Sequence, residues 1–313
     1  MGKSTGAGSL SLWMHKVQGT SFFDYDGPYY HGPTATIGAG LEGYQLNAIA
    51  QEYGKVFLAG ACATVGTVGG YTQGGGHSPL SNIYGLSADQ VLEWQVVDGT
   101  GILRTASRTE NSDLFWALSG GGGGTYGVVY NVTMKAHTDT PIAGGSLNFT
   151  STSENFWTAI EDYHTKLPGI VDTGVFVVAS IGNGSFSGFI HGPNIPKATV
   201  ESTFKPYLEV LTSLNITYAF AITQFDNYVS EYTGTRDVFH FSVGLGQAGG
   251  YLIPRSQVVD NTTGVTAVAR RIASDGLQFK GFAVNVSLAT AGDVDNAVLP
   301  AWRDTLIHAQ VTL

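Results

Sequence analysis

The chain has 313 residues, 43% of them apolar and only 12% charged, a composition typical of a folded protein with a large core. The formal net charge of −9 and the lack of any Lys/Arg cluster argue against a nucleic-acid partner. No window approaches the roughly eighteen uninterrupted apolar residues of a transmembrane helix, so we expect no membrane partner.

The first half of the chain predicts short strands and helices in alternation. An apolar stripe at helical spacing ends at Gly54 and predicts a helix over 46–53. Asp98 and Gly99 separate two β-rich runs, which is typical of a hairpin. The other predicted elements are strands at 34–37 and 56–58, hairpin strands at 91–97 and 102–105, a helix at 111–119 and a strand at 128–135.

The second half predicts longer helices that alternate with β-rich runs. Pro141 follows a polar stretch and marks a boundary, so we expect domains at 1–138 and 139–313. Helix-like stripes lie at 154–166, 197–213, 256–274 and 294–309, and β-rich runs lie at 173–191, 215–225, 238–246 and 277–288. This alternation indicates an α+β fold, with an antiparallel or mixed sheet that is covered by helices on one face.

Two glycine-rich blocks, at 60–78 and 120–124, are the most unusual part of the sequence, and the first contains Cys62, the single cysteine. Glycine allows a backbone to approach a ligand closely, and consecutive N–H groups in such turns bind anions. These blocks therefore predict a loop around a phosphorylated cofactor. The residues 122–127 match G-x-G-x-x-G, but they follow a predicted helix and precede a strand, which is the reverse of the dinucleotide fingerprint.

Other cofactor patterns are missing. The chain contains no G-x-x-x-x-G-K-[ST] phosphate loop, no H-E-x-x-H and no clustered Cys/His pairs, so we expect no metal site.

Residues 4–137 resemble the FAD-binding domain of the oxygen-dependent FAD-linked oxidases, the p-cresol methylhydroxylase/vanillyl-alcohol oxidase superfamily, and within it the fungal berberine-bridge-enzyme-like branch. The second half resembles the substrate domain of that family more loosely, through 249–256. The segments that carry the resemblance of the first half are 4–13, 60–66, 69–78, 84–93, 113–118 and 120–129.

The resemblance implies a bound FAD and places Cys62 at the family's cysteine, whose sulfur is often bonded to C6 of the flavin. A thiolate near an electron-poor ring is a competent nucleophile. The alternative is a buried, inert cysteine that packs as a small hydrophobe. No catalytic residue is assigned. The expected cofactor-binding residues are Cys62, Thr64, Val65, Gly66, Gly69, Gly70, Gln73, Gly74, Gly75, His77, Gly85, Leu86, Gly127 and Val128.

Several neighbouring residues have two interpretations. His77 lies either beside the cofactor or in a backbone hydrogen bond of the loop. Tyr71 and Gln73 either face the flavin ring or the substrate or pack the loop, and loop packing is the expected role. Asp89 is expected to cap a turn and to position Gly85 and Leu86. Val128 and Val129 are expected in a core strand. Four polar residues of second-half strands are candidates for a substrate wall, namely Tyr218, Gln224, His240 and Gln247.

The expected function is FAD-dependent oxidation of an alcohol or an activated C–H carbon by hydride transfer to the flavin, with O₂ as acceptor. The expected partners are a small-molecule substrate and O₂, and the expected state is a monomer. The alternative is a catalytically incompetent remnant, or a glycoprotein that binds a sugar or another small molecule.

The family's Gly-His-Asp-Tyr-Leu-Gly segment, whose histidine also bonds the flavin, would precede Lys3, and its C-terminal Asn-Tyr-x-Asn segment would follow Leu313. We therefore expect a chain that is truncated at both ends. No signal peptide is visible at the N-terminus. Secretion is expected only if the full-length gene encodes one, and the glycosylation sequons favour it. These sequons begin at Asn131, Asn148, Asn183, Asn215, Asn261 and Asn285.

Overall fold

The computed structural model describes residues 5–235 and 248–312, and the sheets that they form are all antiparallel. The strands are β1 (Thr20–Gly27), β2 (Tyr30–Gly38), β3 (Lys55–Val56), β4 (Val91–Val97), β5 (Leu103–Ser107), β6 (Val128–Lys135), β7 (His137–Thr138), β8 (Ile142–Thr150), β9 (Phe176–Gly182), β10 (Ser185–Pro193), β11 (Tyr218–Phe225), β12 (Ala248–Pro254), β13 (Gln278–Ala283) and β14 (Thr305–Thr312). The helices are α1 (Gly43–Glu52), α2 (Ser81–Tyr84), α3 (Ser112–Leu118), α4 (Asn155–Asp172), α5 (Lys197–Ser213), α6 (Tyr228–Thr235), α7 (Arg255–Asp260), α8 (Thr262–Ser274) and α9 (Leu288–Ala291).

The first half of the chain builds a five-stranded sheet in the order β1-β2-β6-β4-β5, and β3 pairs with β7 beside it. Helix α1 buries Leu46 and Ala50, which lie one turn apart, in the same cluster as Ile37 of β2 and Trp94 of β4. The Trp94 indole N–H donates to Ser119 Oγ at 2.9 Å, so even this fully buried ring has its polar atom satisfied.

The second half builds a seven-stranded sheet in the order β11-β8-β10-β9-β13-β14-β12. Helix α4 buries Phe156, Ile160, Tyr163 and Leu167, whose spacing of three to four residues places them on one face toward the sheet. Helices α5, α7 and α8 contribute to the same core, so they lie with α4 on one face of the sheet. The α+β architecture predicted from the sequence is confirmed.

The opposite face of this sheet, which we call the inner face, is contacted by the first glycine block. Strand residues alternate between faces, so the neighbours of each helix-facing residue belong to the inner face. One ladder row there runs from His308 of β14 through Phe282 of β13 and Val178 of β9 to Phe189 of β10.

Three predicted elements need correction. The predicted helix at 294–309 is wrong, because this stretch contains only a short helical turn at Pro300–Asp304, after which β14 begins at Thr305. The helix at 256–274 is two helices, since Asn261 interrupts it and its side chain accepts from the Gly264 N–H. The helix at 154–166 continues to Asp172. The predicted strand at 238–246 lies outside the described residues.

The proposed division at 138/139 stays a prediction. The largest buried cluster draws only on residues after Ile142, and the second largest only on residues up to Ala136, which is consistent with it. Within the described residues, no helix combines the length and the hydrophobicity that crossing a bilayer would require.

Candidate functional site

The first glycine block is folded around the ring of Tyr71. The Tyr71 hydroxyl donates to the His77 carbonyl at 2.6 Å. A Cβ on Gly76 would lie 2.7 Å from this ring, and one on Gly60 would lie 3.1 Å from it. Gly76 also has φ +71°, a backbone conformation that favours glycine. Tyr71 therefore packs the loop, and it joins the start of the glycine block to its end.

The two glycine blocks meet at Gln73. The main-chain oxygen of Gln73 accepts from the N–H groups of Gly120 and Gly122, at 3.0 and 2.8 Å. A Cβ on Gly123 would lie 2.7 Å from the Gly70 Cα, so the two backbones approach more closely than any side chain would allow. The structure thus brings together two segments that are about fifty residues apart in the sequence.

On one side of this junction there is free space next to the backbone. A Cβ at Gly69, Gly70, Gly122 or Gly124 would meet no atom within 4 Å, and we call these four residues the glycine cradle. The side-chain oxygen Oε1 of Gln73 is buried and has no hydrogen-bond partner in the described part of the chain. A buried acceptor without a partner is costly, and a ligand that donates a hydrogen bond would remove that cost.

Cys62 lies in a turn that the N-terminus of α1 holds in place. The Gly43 N–H donates to Val65 O at 2.9 Å and the Tyr44 N–H donates to Ala63 O at 3.0 Å. From the second half of the chain, the Tyr232 hydroxyl donates to Ala61 O at 3.1 Å. Cys62 itself is half-buried. The turn is therefore fixed from both halves of the molecule while its thiol remains partly accessible.

Backbone donors in this turn are available to a ligand. Among the described residues, no acceptor is found for the N–H groups of Ala63 and Thr64. Thr64 and Val65 are exposed, and Gly66 forms an isolated antiparallel bridge to Glu42. Exposed N–H groups in a tight turn form a site for an anion such as a pyrophosphate.

His77 packs against the inner face of the seven-stranded sheet. Its ring centroid lies 5.0 Å from that of Phe282, 5.1 Å from that of His308 and 5.9 Å from that of Trp302. Burial, with a smaller contribution from His308, lowers the pKa of His77 to about 4. Burial also lowers the pKa of His308, whose buried Nδ1 has no partner in the described part of the chain. Burial therefore favours the neutral form of both rings.

Asp89 is the turn residue predicted from the sequence, and the Leu86 N–H donates to its Oδ2 at 2.8 Å. Its other partners lie about two hundred residues away, and no local sequence pattern predicts them. Arg303 donates to both carboxylate oxygens at 2.8 Å, and Asn296 Nδ2 donates to Oδ1 at 2.8 Å. A Cβ on Gly85 would meet Asp89 Oδ2 at 2.7 Å, so this glycine is required beside the ion pair.

The remaining expected cofactor residues surround these features. Gly75 has φ +105°, and its carbonyl accepts from the Ala88 N–H at 2.9 Å. Gly74 is exposed, and its N–H donates to Gly70 O at 3.0 Å. Gly127 packs closely on β4, Val128 is half-buried and Val129 is buried in the core.

Two candidates for the substrate wall lie on the helix side of the seven-stranded sheet. Tyr218 packs against the helix-side core, and Gln224 Oε1 accepts from the Lys197 N–H at the start of α5 at 2.7 Å. Both side chains therefore belong to the helix side and not to the inner face. His240 and Gln247 lie outside the described residues. His77, Phe282, Trp302 and His308 form a ring cluster that the sequence does not predict, because the last three lie in a predicted strand and a predicted helix with no motif to distinguish them.

The residues present fit FAD. The glycine cradle leaves room where a side chain would intrude, the Cys62 turn offers N–H groups for a pyrophosphate, and Gln73 offers an acceptor. No group of three or more His, Cys, Asp or Glu side chains suited to a metal ion occurs at 5–235 or 248–312.

Comparison with known proteins gives a consistent set of similarities. Residues 2–107 match the family model described as an FAD binding domain. The chain is 46% identical over 310 residues to the FAD-linked oxidoreductase patO of Aspergillus clavatus, and the match covers 97% of this chain and 54% of that protein. It is 40% identical over 240 residues to the FAD-linked oxidoreductase sthB of Phaeosphaeria nodorum, covering 75% of this chain and 76% of that one.

The fold is similar to the crystal structure of the VAO-type flavoprotein MtVAO615 from Myceliophthora thermophila C1. The TM-score is 0.88 at 37% identity, and the match covers 100% of this chain and 58% of that chain. The chain spans about half the length of the curated relatives with which it aligns most extensively.

Proposed function

The chain belongs to the FAD-linked oxidoreductases of the vanillyl-alcohol oxidase type, and from that premise we propose that it binds FAD between its two glycine blocks and oxidises a small molecule beside the inner face. The observation that carries this proposal is the junction at Gln73. There the two backbones approach to a distance that only glycine permits, and the glycine cradle beside them borders free space.

In this proposal the chain's own residues bind and orient the cofactor. The N–H groups of Ala63 and Thr64 bind the pyrophosphate, and the glycine cradle admits the adjoining part of the molecule without a steric clash. Bound FAD would accept a hydride from an alcohol or an activated C–H carbon and would pass the electron pair to O₂. The packed rings of His77, His308 and Phe282 exclude water from the substrate side.

We further propose that Cys62 is bonded to the flavin through its Sγ, which would replace the hydrogen on C6; the thiol and C6 protons would be released and the two electrons would pass through the flavin to O₂. Two observations support this bond. Residues 60–66 match the family's cysteine segment. The turn that contains the half-buried Cys62 is held in place from two sides. A fixed thiol is oriented for attack on an electron-poor ring, whereas a mobile one would have to be ordered first.

The experiment is purification of the chain with added FAD, denaturation in guanidinium and gel filtration. We expect flavin absorbance to elute with the denatured wild-type chain. The Cys62→Ala variant should bind FAD when folded and release it when denatured. Flavin that leaves the denatured wild type as readily as the variant would contradict the bond. A colourless chain that takes up no FAD would contradict the whole proposal and favour the incompetent remnant.

Secretion and N-glycosylation remain proposals. Asn183 and Asn215 favour them, because both lie exposed in turns and their side chains form no hydrogen bond within the described residues. Asn131 and Asn148 are poor acceptors, since each is half-buried and donates a hydrogen bond through its side-chain amide. We also propose that the chain acts as a monomer.

A further inference from the structure

A row of polar side chains crosses the inner face next to the ring cluster. Lys280 of β13 pairs with Ser180 of β9 on one side and with Gln310 of β14 on the other. Ser180 pairs with Ser187 of β10, and Ser187 pairs with Asn148 of β8. All five side chains are half-buried, so the sheet presents a continuous polar strip that solvent reaches only in part.

The polar strip runs beside the row that meets His77. Phe282 lies two residues after Lys280 on the same face, and the Lys280 Nζ is 5.8 Å from the centre of the Phe282 ring. Phe282 is itself in contact with His77. A ring that lies over Phe282 would therefore have the glycine block on one side and the Lys280 ammonium on the other.

Lys280 differs from the other cations of this half of the chain. Within 142–235 and 248–312 there are eight Lys and Arg residues, and seven of them lie within 4.0 Å of a carboxylate oxygen. Lys280 has no such carboxylate and no hydrogen bond among the described residues, only its contact with the Phe282 ring. A half-buried ammonium without an anion is poorly compensated, because burial removes part of its hydration.

At the end of the polar strip away from Lys280, the side chains already form hydrogen bonds with one another. Ser187 Oγ donates to Asn148 Oδ1 at 2.7 Å, and Asn148 Nδ2 donates to Ser146 Oγ at 3.1 Å. Hydrogen-bonding capacity is left at the end nearest the ring cluster, where Lys280 lies between Ser180 and Gln310. These three side chains can all donate a hydrogen bond to one anionic oxygen group.

We propose that Lys280 binds the carboxylate of a substrate whose ring lies over Phe282. This inference rests on the proposed function, since it takes the inner face beside the glycine block as the substrate side. The substrate class is a ring-bearing carboxylate. Ser180 and Gln310 supply the flanking donors, and the Phe282 ring supplies the apolar surface.

The test is isothermal titration of the FAD-treated chain with benzoate and with neutral benzamide, which has nearly the same shape. We expect benzoate to bind about tenfold or more tightly than benzamide, because a hydrogen-bonded charge contributes that much at a partly buried site. Lys280→Met should remove this preference and Lys280→Arg should keep most of it. The matched control is Lys205→Met on α5, whose side chain is 73% exposed and which should bind benzoate as the wild type does.

Equal binding of benzoate by the wild type and by a folded Lys280→Met variant would overturn the inference, and so would equal binding of benzoate and benzamide by the wild type. FAD uptake is measured on the same preparations from the flavin absorbance. A chain that binds no FAD but binds benzoate through Lys280 would contradict the proposed function and support this inference. A chain that binds FAD, and binds benzoate equally well with and without the Lys280 side chain, would support the proposed function and overturn this inference.

Discussion

His164 shows how one buried side chain couples this fold to pH. It lies fully buried on α4, where its Nδ1 is 2.9 Å from Thr266 Oγ1 on α8. Its Nε2 has no hydrogen-bond partner in the described part of the chain. Burial lowers the pKa of His164 to about 4, because the protonated ring would lose its hydration without gaining an anion.

We predict that the chain loses stability as the pH falls from about 6.5 toward 4. In that window the unfolded chain binds the proton on His164 and the folded chain does not, so protonation favours unfolding. The folded pKa of about 4 corresponds to a loss on the order of 3 kcal/mol when the pH has fallen through the whole window. The measurement is the free energy of unfolding in urea at several pH values.

His164→Asn keeps a polar group near Thr266 and removes the titrating ring, so its stability should depend less steeply on pH. His31→Asn is the matched control, because that side chain is 72% exposed. If the free energy of unfolding depends on pH identically in the wild type and in His164→Asn, the assignment of this dependence to His164 is contradicted.

The segment from Asn285 to Asp304 is tied to the first half of the chain by the ion pair of Arg303 with Asp89. The Asp89 side chain is fully buried, and that of Arg303 is 14% exposed. Arg303 also donates to Val286 O at 3.1 Å, and Asn296 completes the network. Because Asp89 also accepts from the Leu86 N–H, one carboxylate joins the short turn beside the glycine block to β14 and the segment before it.

We predict that Arg303→Met destabilises the chain by about 3–5 kcal/mol, because it leaves the Asp89 carboxylate buried without its cation. Arg271→Met, which removes an exposed pair on α8, should cost less than about 1 kcal/mol. The measurement is the shift of the urea unfolding midpoint for both variants. Equal small shifts would show that the buried pair does not hold these segments together.

How far the sequence predicts an element depends on whether local spacing decides it. Helix α5 begins and ends at the predicted residues 197 and 213, because its apolar stripe is long and regular. The stretch 294–309 also carries apolar residues at helical spacing, yet β14 forms there. Pairing with both β12 and β13 buries Ile307 and Ala309 as alternating residues, and that tertiary contact outweighs the local pattern.

At the scale of the whole molecule, the candidate site is made of segments that are distant in the sequence. The glycine content of both blocks indicated close backbone approach, and the two blocks indeed meet at Gln73. The ring cluster around His77 could not be predicted, because Phe282 and His308 are aligned by the pairing of β13 with β14. The ion pair of Asp89 with Arg303 likewise depends on the tertiary fold and has no local signal.

The central claim is that FAD occupies the glycine cradle, and Gly70 offers the most direct test. A Cβ there meets no atom within 4 Å, so Gly70→Val should fold while its side chain projects into the space assigned to the cofactor. Gly169 on α4 is also exposed and equally open at Cβ, which makes Gly169→Val the matched control.

The measurement is the equilibrium binding of FAD to the wild type and both variants, with circular dichroism to confirm that each is folded. We predict that the wild type and Gly169→Val bind FAD equally and that Gly70→Val binds it at least about tenfold more weakly. Undiminished FAD binding by a folded Gly70→Val variant would contradict the placement of the cofactor in the glycine cradle.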